Sequence, residues 1–433
     1  FKCLQEFLRE TNKKVLMLQI YRFLINLIFL LSPLILILIL LKKKEDIKRF
    51  KEKFCFFSEK RKNGKVIWFH GASVGEIQSI IPLLEKFEKN NKINQILLTS
   101  NTLSSSKIVS KIKLKKVIHQ FFPIDVNFIS NNFLEYWKPS AAFFIDSEIW
   151  PNMILNLKKK KIPIILINGR ITHKSFIRWK FFKNFSKRIF DNFNLCFSSN
   201  IETVNFLKKL GAKKIVNVGN LKFSQAEKKS EKIQENLKKF VKSKKVWCAS
   251  STHFNEENLC GLVHKELKKK YTNLLTIIIP RHINRTSSIK EDLNKLGLKV
   301  HTHEPKSKIP DDTDIYLVNA YGKTKSFYNY CKSVFLGGSI INHGGQNPLE
   351  AARFGCKILH GPNVSNFKEI YAFLNQNKIS SKITSSKMMS KILVKFFSKK
   401  SVSNKIMKKI NNIGQKILNV TYKEINLLLK NEI

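Results

Sequence analysis

Glycine and proline are scarce in this chain of 433 residues, at 16 and 11 occurrences, which leaves little room for long flexible linkers. The seven cysteines are widely scattered without a C-x-x-C pair, so neither a disulfide framework nor a zinc site is indicated. We therefore expect a reducing compartment. The Walker pattern and G-x-G-x-x-G are also missing, which argues against an ATPase and a dinucleotide-binding protein. No cluster of His or Asp suggests a metal centre, so we expect no metal at the site.

Acidic residues are few, because 31 Asp and Glu stand against 79 Lys and Arg, for a formal net charge of +48. Such a charge favours an anionic partner, either nucleic acid or an acidic lipid surface. Lysines, however, run along the whole chain and far outnumber arginines, without an Arg-rich run interleaved with aromatics. We interpret the charge mainly as a bias of composition. Attraction to an anionic lipid surface comes second, and we expect no nucleic-acid partner.

One apolar run, FLINLIFLLSPLILILILL from Phe23 to Leu41, contains no charge and is about long enough to cross a bilayer core. Lysines follow it directly at positions 42–44, so the positive-inside rule places the rest of the chain on the cytoplasmic side of a membrane. A helix lying in the interface is the alternative, but its polar face would need charges that this run lacks. Met17 is a candidate natural start, and residues 1–16 are then upstream sequence.

After this anchor, short apolar runs alternate with amphipathic segments, the pattern of βαβ units in parallel sheets. The first half is predicted to hold strands at Val66–Phe69, Ile96–Thr99, Ile118–Pro123, Ala141–Ile145, Ile162–Ile167, Leu195–Ser198 and Ile215–Val218. The second half is predicted to hold strands at Val246–Ala249, Leu274–Ile279, Ile315–Val318, Val334–Leu336 and Lys357–Leu359. We predict an anchor and basic flank over 1–48, one α/β domain over 49–223, a polar linker over 224–244, and a second α/β domain with a C-terminal helix over 245–433.

The segment HGASVGE, residues 70–76, leaves the first strand and turns through two glycines into a helix. Ligands of parallel α/β sheets bind at this carboxyl edge, and a carboxylate there can accept the proton of an attacking hydroxyl. Ser73-x-x-Glu76 is also a capping box, in which Glu76 only returns a hydrogen bond to the backbone. Spacing alone favours the cap. The paired glycines, which bare the loop for a substrate, favour a role for Glu76 in the site.

Two more segments of the first half carry candidate residues. DSEIWP, residues 146–151, follows the apolar run Ala141–Ile145, so Asp146 and Glu148 are expected at a strand end, unless they only complement the dipole of the helix that begins there. GNLKF, residues 219–223, places Lys222 at the domain boundary, where it can neutralise a phosphate or carboxylate. The alternative for Lys222 is a solvated surface charge.

The second half repeats this arrangement of polar residues at strand ends. ASSTH at 249–253, followed by Glu256 and Glu257, enters a helix and suits capping or anion binding. Pro280-Arg281-His282 follows a strand, and a guanidinium there can bind phosphate, unless it forms a salt bridge across the domains. GGS at 337–339 and GGQNPLE at 344–350 are predicted to line a phosphate nest with backbone N–H groups, with Pro348 beginning a helix and Glu350 holding ribose hydroxyls.

In order, HGASVGE, DSEIWP, NGR (Asn168–Arg170), GNLKF, ASSTH with EE, PRH and GGS…GGQNPLEAA resemble the motifs of the Kdo (3-deoxy-D-manno-octulosonic acid) transferases, from about Gly64 to Phe367. The resemblance implies an α/β fold of GT-B type, with two Rossmann-like domains facing a cleft and one N-terminal membrane helix. The first domain would take the acceptor and the second the nucleotide sugar. It also implies a bacterial inner membrane with the catalytic domains on the cytoplasmic side.

The same resemblance implies an inverting transfer of Kdo from the donor substrate CMP-Kdo to a lipid A precursor (lipid IVA), with no cofactor and no metal at the transfer step. Glu76 would be the general base, and Glu148 and Lys222 would stabilise the transition state. The residues that would hold CMP are Pro280, Arg281, Tyr321, Gly322, Lys323, Asn347, Pro348, Leu349 and Glu350.

Two positions depart from the family's pattern. Its usual acidic Asp-x-x-Gly-Glu stretch is Asn319-Ala320-Tyr321-Gly322-Lys323 here, and its usual His before Asn-Pro is Gln346. At the first, contacts to the nucleotide would then be made through the backbone. The alternatives are a GT-B enzyme using another nucleotide sugar, which would not be expected to show HGASVGE and DSEIWP together, and a non-enzymatic basic membrane-tethered binding protein, which leaves the polar residues at strand ends unexplained.

Overall fold

The computed structural model describes residues 2–34, 46–225, 233–304, 307–398 and 404–432. The chain divides into two compact units: unit 1 comprises Phe1–Gln225 and Ile413–Ile433, and unit 2 comprises Ala226–Asn412. The last segment differs from the sequence-based assignment, which left the whole C-terminal tail with the second half.

Unit 1 contains, within the described residues, a sheet of seven parallel strands in the order β3-β2-β1-β4-β5-β6-β7. The strands are β1 Val66–His70, β2 Gln95–Ser100, β3 Val117–Phe121, β4 Ala141–Ile145, β5 Ile164–Gly169, β6 Leu195–Ser198 and β7 Ile215–Asn217. Most are buried on both faces, which explains their near-continuous apolar sequences. The order in which successive strands are added to the sheet reverses between β1 and β4. Open α/β sheets bind ligands at such a point.

The helices of unit 1 cover the two faces of this sheet. They are α1 Lys2–Leu30, α2 Val74–Glu88, α3 Leu103–Val109, α4 Asn127–Trp137, α5 Pro151–Lys159, α6 His173–Phe181, α7 Lys183–Phe190 and α8 Ile201–Leu210, with 3-10 turns at Phe50–Phe54 and Leu221–Ser224. Helix α2 buries Ile77, Ile80, Leu84 and Phe87, the apolar face expected from its 3.6-residue period.

Helix α1 covers part of the predicted anchor. Leu18 is buried in the core of unit 1, and Tyr21 Oη donates to Asp125 Oδ2 at 2.7 Å. Within the described part of the chain, no helix has the length and hydropathy needed to span a membrane. Residues 35–41 of the predicted run lie outside the described residues. The described part of the run, residues 23–34, continues helix α1, whose preceding residues pack on unit 1.

Unit 2 contains, in the part of the chain described, a second sheet of seven parallel strands, in the order β10-β11-β9-β8-β12-β13-β14. The strands are β8 Lys245–Thr252, β9 Leu274–Pro280, β10 Val300–Thr302, β11 Ile315–Leu317, β12 Ser333–Leu336, β13 Lys357–His360 and β14 Ser380–Lys382. Strands β10 and β14 were not predicted from the sequence, because these short edge strands carry too few apolar residues to be recognised. The reversal of direction lies between β8 and β12.

The helices of unit 2 are α9 Glu235–Ser243, α10 Glu256–Lys268, α11 Thr286–Lys295, α12 Thr324–Tyr328, α13 Leu349–Arg353, α14 Lys368–Gln376 and α15 Ser386–Phe397, with 3-10 turns at Ile283–Arg285 and Ser365–Phe367. Helix α9 corrects the predicted linker over 224–244, because Leu237 and Val241 are buried on one face of it. Residues 226–232 of that linker lie outside the described residues.

The last helix, α16 Asn404–Glu432, begins in unit 2 and ends in unit 1. Its Gly414 faces the backbone of Phe223 so closely that a Cβ there would lie 1.9 Å from the Phe223 carbonyl oxygen. Ile417 packs over Gly219, and Tyr422 lies against Phe87 of α2. The tail therefore completes unit 1 next to the GNLKF segment, for which its local sequence carries no signal.

Candidate active site

Glu76 lies in the first turn of α2, at the carboxyl end of β1. Its Oε1 accepts a hydrogen bond from Ser73 Oγ at 2.6 Å, and its Oε2 accepts one from the Ala72 N–H at 2.8 Å. Ser73 Oγ in turn accepts from the Glu76 N–H, so Ser73 caps the helix as its sequence suggests, but the carboxylate returns its backbone hydrogen bond to Ala72 rather than to the N-cap residue Ser73. Capping does not occupy every lone pair of the carboxylate, and the side chain stays partly exposed.

The electrostatic surroundings of Glu76 set it apart from an ordinary capping residue. Burial raises the pKa of Glu76 to about 7, and the carboxylates of Glu148 and Asp146 act in the same direction. The hydrogen bonds from Ser73 and Ala72 oppose this shift without cancelling it. A carboxyl group with a pKa close to neutrality is suited to general base catalysis.

Glu148 is held by two neighbours at the same sheet edge. Its Oε2 lies 3.2 Å from His70 Nε2 and accepts a hydrogen bond from Trp150 Nε1 at 2.9 Å. His70 is fully buried, and burial lowers the pKa of its imidazole, so it is neutral. Since a carboxylate only accepts hydrogen bonds, the His70 proton belongs on Nε2.

A hydrogen-bonded chain fixes the His70 ring from its other side. Its Nδ1 lies 3.0 Å from Thr99 Oγ1, which accepts from Trp68 Nε1 at 2.9 Å. The ring also stacks on Phe122, with centroids 3.8 Å apart. Strands β2 and β1 thereby determine where the Glu148 carboxylate points.

The NGR and GNLKF segments also lie at the carboxyl edge of the first sheet and make contacts there. Asn168 Oδ1 accepts from the Leu221 N–H at 2.8 Å, and Arg170 Nε lies 3.8 Å from Asp146 Oδ1. The 3-10 turn that carries Lys222 packs beside α2, which carries Glu76. The structure thus gathers all four segments of unit 1 at the carboxyl ends of β1, β4 and β5.

In unit 2, the glycine loop after β12 has a different arrangement from the predicted phosphate nest. The N–H groups of Gly338 and His253 donate to Glu256 Oε2 at 2.7 and 2.9 Å, and those of Ser339 and Ile340 donate to Glu256 Oε1 at 3.1 and 3.0 Å. Glu256 is buried and fills the nest with the protein's own carboxylate. The predicted phosphate contact is therefore wrong for the N–H groups of Gly338 and Ser339, whereas the contact predicted for residues 344–350 stays a prediction.

The residues predicted to hold CMP all lie at the carboxyl edge of the second sheet. Pro280 ends β9, and the Arg281 N–H donates to the Thr252 carbonyl at 2.9 Å. Tyr321, Gly322 and Lys323 follow β11, where Tyr321 is 66% exposed and Gly322 has a φ of 80°. The third segment begins α13 and comprises Asn347, Pro348, Leu349 and Glu350.

Local contacts fix this third segment. The Asn347 side chain accepts from the Leu349 N–H at 3.1 Å, Pro348 stands at the helix cap rather than inside the helix, and Glu350 Oε1 lies 3.4 Å from Lys325 Nζ. Glu350 therefore shares its carboxylate with a lysine of α12. This set belongs to unit 2, and the Glu76, Glu148 and Lys222 set belongs to unit 1.

Comparison with known proteins agrees with the motifs. The family model described as 3-Deoxy-D-manno-octulosonic-acid transferase (kdotransferase) matches residues 48–225. The 3-deoxy-D-manno-octulosonic acid transferase of Rickettsia bellii is 35% identical over 384 residues, covering 87% of this chain and 90% of the relative. The chain belongs to the Kdo transferase family. It is accordingly a glycosyltransferase, and the resemblance drawn from its motifs is confirmed.

More distant relatives agree on family and fold. The enzyme of the same name from Haemophilus influenzae is 27% identical over 81% of this chain and 84% of its own length. A solved UDP-GlcNAc 2-epimerase from Neisseria meningitidis superposes with a TM-score of 0.57 at 16% identity, covering 84% of this chain and all of the epimerase. That likeness concerns the fold alone and confirms two Rossmann-like halves.

Several residues of the site were not singled out from the sequence. His70 entered the sequence prediction only as the first residue of a motif, and Glu256 only as a residue of the segment that enters a helix, yet each fixes a loop at a sheet edge. Asn168 carried one weak signal, its place in the NGR segment before a glycine. A residue's partners across the sheet are set by strand order, which a single sequence does not show.

Proposed function

We propose that the chain transfers Kdo with inversion from CMP-Kdo to a hydroxyl of a lipid A precursor, with Glu76 as the general base. The observation that carries this proposal is the Glu76 carboxylate, held at the switch point of the first sheet with a pKa raised to about 7. Half of such groups are deprotonated near neutral pH, so Glu76 can accept a proton there.

The proposed step begins when the acceptor hydroxyl gives its proton to Glu76. Its oxygen then bonds to the anomeric carbon of Kdo, while the bond from that carbon to the CMP phosphate breaks and CMP leaves with the electron pair. Lys222 would counter the negative charge that develops on the departing group. Glu148, oriented by His70 and Trp150, would face the positive charge that develops at the anomeric centre.

Unit 2 supplies the residues proposed to hold the donor. Arg281 and Lys323 carry positive charge at the carboxyl edge of a sheet, where a phosphate is expected. Glu350 would orient ribose hydroxyls from the first turn of α13, and its contact with Lys325 keeps that carboxylate in place.

A lipid acceptor requires the protein to work at a membrane. Helix α1 and the residues after it expose a group of large apolar side chains at 43 to 74% of their surface, namely Phe23, Leu24, Leu27, Ile28, Leu30, Leu31 and Leu34. Such a patch suits contact with lipid, and the lysine-rich flank at 42–44 suits an anionic leaflet. We propose that this segment attaches the chain to the cytoplasmic face of the inner membrane.

The direct test supplies CMP-Kdo and lipid IVA to the purified protein in detergent and follows Kdo incorporation by mass spectrometry. We expect transfer by the wild type and a kcat lower by roughly two or more orders of magnitude in Glu76→Gln. Glu85→Gln is the matched control, because Glu85 lies on the same helix and is exposed.

Each outcome separates the alternatives. Transfer of another sugar from its nucleotide, but not of Kdo, would identify a different GT-B activity. Absence of Kdo transfer to lipid IVA, with lipid binding intact, would contradict the proposed donor and acceptor pair. If Glu76→Gln stays active and only loses about 1 kcal/mol of stability, Glu76 is a capping residue.

A further inference from the structure

Three histidines meet at the carboxyl edge of the second sheet. His253 follows β8, His282 follows β9, and His343 lies in the glycine-rich segment after β12. The His253 ring centroid lies 4.5 Å from that of His343 and 5.8 Å from that of His282. His282 and His343 are exposed, whereas His253 is only 7% exposed. His253 therefore lies at the buried bottom of the cluster, and His282 and His343 lie at its solvent-exposed edge.

His253, at the buried bottom of the cluster, has a ring nitrogen without a hydrogen-bond partner among the described residues. Among the described residues, nothing bonds to His253 Nε2, although the atom is removed from solvent. Buried polar atoms are almost always paired, so such an atom needs an explanation. Gly338 lies beside it, and a Cβ there would come within 3.2 Å of Nε2, so the glycine preserves the space next to that nitrogen.

The charges around this space indicate the class of ligand. Burial lowers the pKa of His253 to about 4, and the charges of His343, His282, Arg281 and Arg285 act in the same direction. Arg285 is already paired with Glu257 through two contacts of 3.1 Å. The described residues contain no cluster arranged to hold a metal ion, so the rings do not form a metal site. The neutral His253 ring can donate a hydrogen bond, and the basic side chains of His282, His343 and Arg281 surround it. This combination suits an anionic oxygen as the ligand.

The glycine loop cannot take that role itself. The N–H groups of Gly338, Ser339 and Ile340 are bound to Glu256, so an anion arriving beside them meets side chains rather than these backbone groups. We propose that His253, His282 and His343, together with Arg281, form a subsite that binds an anionic group of the donor. The group is the phosphate of CMP or the carboxylate of Kdo. The identity of the ligand rests on the proposed function, whereas the existence of an anion site does not.

The subsite can be tested by NMR of full-length protein carrying ¹³C-labelled histidine, titrated separately with inorganic phosphate, CMP, cytidine and Kdo. If the phosphate of CMP is the ligand, CMP and inorganic phosphate shift the His253 resonance and cytidine does not. If the carboxylate is the ligand, Kdo shifts it. The subsite is overturned if none of the four shifts it.

Variants connect the subsite to the donor. We expect His253→Leu to raise the Kd for CMP or the KM for CMP-Kdo about tenfold, as for one lost hydrogen bond to a charged group. His253→Gln should restore part of the affinity, because its amide keeps a donor. His343→Ala replaces an exposed ring, so it keeps the fold and should weaken binding several-fold. His301→Gln is the control, because its Nε2 already contacts Ser307 Oγ.

The two proposals fail in different ways. If the wild type transfers Kdo but His253→Leu and His343→Ala keep its KM for CMP-Kdo and its affinity for CMP, the subsite is wrong and the function stands. If no transfer occurs while phosphate still shifts the His253 resonance, and His253→Leu weakens phosphate binding, the subsite is right and the donor is another anionic compound.

Discussion

His70 Nε2 lies 3.2 Å from Glu148 Oε2, and this contact joins the end of β1 to the loop that follows β4. Because the histidine is buried and neutral, it acts as a fixed donor rather than as a charge. The contact explains how the Glu148 carboxylate is oriented although it lies on a short loop, because the adjacent strands β1 and β4 fix the positions of both residues.

His70→Phe tests this positioning. Phenylalanine keeps the ring against Phe122 but removes both side-chain hydrogen bonds. We expect the free energy of unfolding to fall by about 1–3 kcal/mol and kcat to fall roughly ten- to a hundredfold. Chemical denaturation and steady-state kinetics measure the two effects. The exposed His173→Phe should change stability by less than about 0.5 kcal/mol, and an unchanged kcat in His70→Phe would remove His70 from the positioning of Glu148.

The activity should depend on the protonation of Glu76. A general base works in its deprotonated form, so kcat/KM should rise as the pH passes through about 7 and level off above it. Asp146→Asn removes a neighbouring carboxylate that raises this pKa, so the rise should move to lower pH. Asparagine also tolerates the φ of 62° at this position. A pH profile that Asp146→Asn leaves in place would argue that another group controls the rate.

Glu256→Gln should destabilise unit 2. The carboxylate accepts the N–H groups of His253, Gly338, Ser339 and Ile340, whereas an amide would turn its NH₂ toward some of these donors. We expect a loss of about 2–3 kcal/mol in the free energy of unfolding, measured by urea denaturation. Glu266→Gln on the same helix is the control, since Glu266 is exposed and its contact with Lys269 is a surface ion pair. Equal stability of the two variants would show that the loop holds its shape without Glu256.

Gly414→Ala should impair the turn that carries Lys222. Alanine favours a helix over glycine by about 1 kcal/mol, but its Cβ would lie 1.9 Å from the Phe223 carbonyl oxygen. One of the two elements must therefore shift, and we expect lower thermal stability and a reduced kcat. The neighbouring exposed Gln415→Ala should leave both unchanged. A stabilised and fully active Gly414→Ala would mean that the tail moves without disturbing Lys222.

Much of the fold followed from local pattern. The central strands are buried on both faces, so their apolar runs marked them in the sequence, whereas the edge strands β10 and β14 did not stand out. The segments at 70–76 and 146–151 could be placed at one sheet edge because parallel strands end on the same side. The cap that Ser73 provides to the Glu76 N–H was also visible, since this contact joins residues three positions apart.

The sequence by itself determined the parallel α/β class, the family, and which segments lie at the sheet edges, because these depend on apolar runs and on ordered motifs. Only the tertiary structure decided that His70 orients Glu148, that Glu256 fills the glycine loop, that the tail completes unit 1, and that three histidines converge. Each of these contacts joins residues distant in sequence. Their pairing depends on strand order and on the direction of side chains, which no local pattern encodes.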